Sequence, residues 1–171
     1  MEIPKTESLK NLSPDFINTA GRRTISGVTA KVLDYLVREA NKQMDSMLEP
    51  DEIVATLDIK LNECKEAFEE LEFLGCVVTS GDAQSPIGYA RARLNPSSFI
   101  QFVGQIFPDI DIVDEIKRTL NAFPSDGNYI SSDVILESAK VPAVRLQQII
   151  YYLQENNLIE APESWIGEGK L

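Results

Sequence analysis

From Thr29 onward the apolar residues Val32, Leu33, Leu36, Val37 and Ala40 recur at three- and four-residue intervals, which predicts an amphipathic helix over residues 27–43. A second helix start follows in Leu48-Glu49-Pro50-Asp51-Glu52, where a proline at a first-turn position and acids beside it suit a helix N-terminus. That helix ends near Leu57. Asp58-Ile59-Lys60 then turns the chain into a third helix, in which Leu61, Cys64, Ala67, Phe68 and Leu71 keep the same spacing and Gly75 stands at the C-terminal cap. Residues 76–79 and 87–94, joined by a tip over 80–86, read as two strands of a hairpin.

The pattern occurs twice. Sliding the chain by 82 positions lays Ile53 on Ile135, Val54 on Leu136, Ile59 on Val141, Cys64 on Leu146, Ala67 on Ile149, Phe68 on Ile150, Leu71 on Leu153, Cys76 on Leu158 and Val77 on Ile159. Apolar meets apolar throughout. Gly75 lies over Asn157, the other residue that tolerates the left-handed conformation ending a helix. A gap-free match through two helices, a turn, a cap and a strand marks an internal repeat.

Helix, short helix, turn, longer helix, cap and hairpin is the order of a winged helix-turn-helix domain, and the sequence resembles that superfamily over most of its length. The resemblance is clearest in YISSDVILESA, from Tyr129 to Ala139, and in VPAVRLQQIIYYLQENNLI, from Val141 to Ile159. It implies a mainly α fold with small β-hairpins (α+β): an extended N-terminal arm over 1–25, a first winged-helix domain over 26–95, a linker helix over 96–108 and a second winged-helix domain over 109–171. The second wing is reduced, with Trp165-Ile166 as its returning strand. Asn95-Pro96-Ser97-Ser98 starts the linker helix, whose apolar Phe99, Ile100, Phe102, Val103 and Ile106 would dock between the domains or against a second copy. A homodimer and a monomer both stay open.

Composition narrows the chemistry. The 171 residues are 43% hydrophobic and 25% charged, the usual mixture for a globular protein, with no apolar run long enough to span a bilayer and no signal-peptide core. A cytoplasmic protein without a membrane partner is expected. No histidine is present, which excludes Ser-His-Asp and Cys-His catalysis and histidine-ligated zinc. Cys64 and Cys76 read as reduced core residues, and no loop matches a phosphate-binding glycine motif. No metal, no cofactor and no enzymatic activity are expected.

The net charge of −11 opposes attraction to phosphate backbones, and both halves share it. Residues 26–104 and 105–171 each carry six more acids than bases, whereas residues 1–25 carry one more base than acids. In DNA-binding members of the superfamily the third helix enters the major groove and needs cationic or amide side chains. Here the outward positions of the first copy are Asn62, Glu63, Lys65, Glu66, Glu69, Glu70 and Glu72. Glu63, Glu66, Glu69 and Glu70 would repel phosphate and attract a basic protein. The second copy turns out Ala143, Val144, Arg145, Gln147, Gln148, Tyr151 or Tyr152, and Glu155, of which Val144, Gln148, Tyr151 and Tyr152 suit a protein contact.

The leading expectation is a non-catalytic regulatory or assembly protein acting through protein contacts. It is similar in architecture and acidity to the winged-helix subunits of bacterial chromosome-condensation complexes and, more loosely, of endosomal sorting complexes. The alternative is a transcription or plasmid-replication regulator binding DNA as a dimer. Arg145, Gln147 and Gln148 would then read bases, and Arg91, Arg93 and the pair Arg22-Arg23 would hold phosphates. The stretch Ala90-Arg91-Ala92-Arg93-Leu94-Asn95-Pro96 resembles the exit from the wing in some plasmid replication initiators.

Overall fold

The computed structural model describes residues 25, 27–43, 46–124 and 130–159. These contain seven helices and one two-stranded antiparallel hairpin, an α+β composition, and divide into a compact unit ending at Ile106 and another beginning at Phe107.

In the first unit, α1 (Gly27–Lys42) buries the stripe Val32, Leu33, Leu36, Val37 and Ala40. The next helix, α2 (Pro50–Leu57), starts on proline with Asp51 and Glu52 in its first turn, and Asp58 ends it in the left-handed conformation at φ 51°. Helix α3 (Leu61–Phe73) buries Cys64, Ala67, Phe68 and Leu71 against α1. Gly75, at φ +70°, turns the chain out of it, the Cys76 N–H donating to the Leu71 carbonyl at 2.8 Å.

The hairpin follows: β1 (Val77–Gly81) pairs antiparallel with β2 (Tyr89–Leu94), Val77 opposite Leu94 and Thr79 opposite Ala92. Leu48, just before α2, adds a bridge to the other edge of β2, its N–H and C=O bonded to Ala92 at 2.8 and 2.9 Å. Helix α4 (Pro96–Ile106) packs on α1 with Phe99, Ile100 and Val103 fully buried. The apolar run that the sequence suggests as a separate linker is thus a component of the first unit, because α1 offers it an apolar surface next in line. Phe102, Ile106 and Phe107 are half-buried.

The second unit repeats the plan. Its helices are α5 (Ile112–Ala122), α6 (Ser132–Ala139) and α7 (Ala143–Glu155). Adding 82 to the bounds of α2 and α3 gives those of α6 and α7 to the residue. The turns repeat as well: Asp58 and Lys140 have φ 51° and 54°, Gly75 and Asn157 have φ 70° and 54°. The Leu158 N–H donates to the Leu153 carbonyl at 2.8 Å, the counterpart of the bond after α3. Helix α5 matches α1 one position later, so that Thr29, Val32, Leu33, Leu36 and Val37 fall on Ile112, Glu115, Ile116, Thr119 and Leu120, all buried. After α7, Ile159 is buried and no strand occurs among the described residues, and the predicted returning strand at Trp165-Ile166 lies outside them.

Candidate functional site

The third helix of each unit carries most of the residues that the sequence nominates, and the two helices treat them differently. On α3 the exposed side chains are Asn62, Lys65, Glu66, Glu69, Glu72 and Phe73. Glu66 and Glu69 therefore stand in solvent as expected, with Lys65 Nζ 3.7 Å from Glu69 as an exposed pair of small energetic weight. Glu63 and Glu70 are half-buried and already engaged. Glu63 accepts the Lys60 backbone N–H at 2.7 Å, capping its own helix, and Glu70 accepts the Thr29 hydroxyl at 2.7 Å, tying the start of α1 to α3.

Phe73 was not singled out by the sequence, since it sits at the helix end where periodicity loses force, yet its side chain is 80% exposed. It lies four residues after Glu69 and seven after Glu66, on the same helical face. Beside it, Glu72 accepts the Thr79 hydroxyl at 2.5 Å and the Tyr89 hydroxyl at 3.2 Å, fixing the hairpin against α3. Burial, with Glu72 and Glu69 adding to it, raises the Tyr89 pKa above its ordinary value, so the hydroxyl stays a donor at neutral pH.

Helix α7 corrects several expectations. Gln148 is buried at 1% exposure with its Oε1 lacking a hydrogen-bond partner, and Tyr152 is buried at 6%. Neither is open to a protein or to a base edge. Both fall on positions that apolar spacing alone left outside the core arc, and burial in the folded chain widened that arc. Burial also lifts the Tyr152 hydroxyl above its ordinary pKa. Val144, Gln147 and Tyr151 are half-buried.

Arg145 is likewise not a free reading residue. Its Nε lies 2.8 and 3.0 Å from the two oxygens of Glu115, a carboxylate side chain only 8% exposed. The repeat explains the exchange. Glu115 occupies the place of Val32, and Arg145 that of Glu63, whose capping task needs a backbone N–H at the preceding cap. That cap is Pro142, which has no N–H to give, so an acid at 145 would have nothing to accept. Three residues beyond Glu115 along α5, Arg118 bonds the carbonyls of Ala139 and of Lys140, the latter at 2.9 Å, closing the C-terminus of α6.

Of the remaining basic candidates, Arg91 and Arg93 project to one side of β2, with Ala92 buried between them. Arg91 is exposed, its Nη2 3.4 Å from Glu49, and Arg93 is half-buried. Arg22 and Arg23 lie outside the described residues. The structure thus brings Glu66, Glu69, Glu72 and Phe73 together on one face and does not gather Arg145, Gln147 and Gln148 into a reading surface.

No protein-family model, curated protein or solved structure matches this chain. Among the described residues no group of three or more Cys, Asp or Glu is disposed to hold a metal ion, and no helix is long and apolar enough to cross a membrane. Burial pushes the Cys64 thiol up to about 11, with Asp51 adding to the shift, and raises Cys76 as well.

Proposed function

We propose that this chain is a non-catalytic, cytoplasmic, tandem winged-helix protein that regulates or assembles other proteins by binding them, with the outward face of α3 as its principal surface. The repeated order of helix, short helix, longer helix and turn, with a hairpin in the first copy, supports the architecture. One observation carries the functional reading. The helix that would enter a DNA groove instead presents Glu66, Glu69, Glu72 and an open phenyl ring, with a single lysine already beside Glu69. Carboxylates at that place repel phosphate, whereas an aromatic side chain ringed by acids suits a basic protein surface.

The test is affinity capture with the full chain, comparing wild type with Glu66→Lys plus Glu69→Lys and with Phe73→Ala. All three positions are exposed, so the variants should keep their fold. A stoichiometric partner lost in both variants is the expected result, and a partner retained by both overturns the choice of surface. A DNA-binding regulator is the second reading, favoured by the exposed Arg91 on β2. It requires binding to mixed-sequence duplex at low salt that weakens steeply as salt rises.

A further inference from the structure

The first unit holds a cleft of about 360 Å³ between the start of α2, the start of α3 and the hairpin. Its walls include Pro50, Leu61, Pro86 and the ring of Tyr89. That ring is well held: it meets Phe68 edge-on at 5.7 Å between centroids, and its hydroxyl is bonded to Glu72. Three carboxylates, Glu49, Asp51 and Asp82, stand around the cleft against one cation, Arg91. Arg91 reaches only Glu49, at 3.4 Å, and Asp51 and Asp82 have no cationic partner among the described residues. A guanidinium therefore already sits at one edge of the cleft, and the remaining acids keep a net negative charge.

We propose that this cleft seats an arginine side chain from a partner polypeptide, its aliphatic stem along Leu61, Pro86 and the Tyr89 ring and its head toward Asp51 and Asp82. The inference rests on the reading that this unit binds protein. The volume lies at the low end of ligand sites, roughly 300–1,000 Å³, enough for one side chain with its flanking backbone. Pro50, Leu61 and Pro86, set in an open and mainly polar lining beside exposed carboxylates, match a side chain whose stem is apolar and whose end alone is charged. The carboxylates do not converge as metal ligands do, which favours an extended organic cation over an ion. Arginine is preferred to lysine because its planar fork of N–H donors can hydrogen-bond two carboxylates at once.

The experiment is a titration of the full, isotope-labelled chain, followed by amide NMR shifts, with an acetylated and amidated Gly-Ser-Arg-Ser-Gly peptide. A peptide with norleucine in place of arginine serves as control. Saturable shifts at Asp51, Leu61, Asp82 and Tyr89, absent with norleucine, are expected. Asp51→Asn plus Asp82→Asn should weaken binding about threefold or more, and Arg91→Ala should tighten it about twofold, as exposed charge pairs permit. An unchanged affinity in the double variant, shifts confined to Glu66 and Glu69, or the same shifts from a second copy without peptide would overturn the proposal. Capture of a partner lost in the Glu66→Lys plus Glu69→Lys variant, with the cleft silent to peptide, sinks this inference and leaves the binding reading standing. A cleft that binds while capture survives those changes does the reverse.

Discussion

In the ion pair of Arg145 with Glu115 both side chains are largely withdrawn from water, at 17% and 8% exposure. Removing the arginine leaves a buried carboxylate without its cation. Arg145→Ala should therefore cost about 3 kcal/mol in chemical denaturation, and Glu115→Val with Arg145→Met should recover most of it. A loss near zero would show that water reaches Glu115. The two thiols make a second test at this scale. Cys64 and Cys76 are 0% and 5% exposed and their pKa values are raised, so both should resist thiol reagents at pH 8 until the chain unfolds. Because the folded-state pKa of Cys64, about 11, exceeds the ordinary value of 9.0, its contribution to stability is complete below pH 9 and disappears as pH rises through 11. Denaturation midpoints measured from pH 8 to 11 should fall across that window, and a Cys64→Ala variant should fall less.

At the scale of elements, the two left-handed residues that close α2 and α6 are chemically unequal. Aspartate tolerates this conformation better than lysine, which gains nothing from a short polar side chain there. Lys140→Gly should raise stability by about 0.5–1 kcal/mol and Asp58→Gly by less, judged from thermal midpoints of the full chain. Equal effects would mean that the turns are set by something other than the residue in them. These elements were legible beforehand because their signals are local: proline at the start of α2, the apolar spacing of α3, Gly75 and Asn157 after the third helices. Two were not. The bridge at Leu48 is a single residue long and has no period, and α5 mixes Glu115 and Thr119 into its buried stripe, which breaks the apolar rhythm that would have announced it.

Across the whole molecule the acidic balance, net −11, bears on association. Mixed-sequence duplex should show no measurable binding even at low salt, where cationic groups would act most strongly, and a steep salt dependence would instead assign the chain to DNA. What the sequence determined by itself was the order and limits of most elements and their repetition, since turns, caps and helical spacing depend on neighbours along the chain. Only the tertiary structure decided which residues near the border of a helix face stay in water. Each helical step rotates about 100°, so Gln148 and Tyr152 lie close enough to the apolar arc that packing determines their side. The same holds for Arg145, whose task follows from a carboxylate thirty residues away. Phe73 is the converse case, an apolar residue that the end of α3 carries past the core and leaves open.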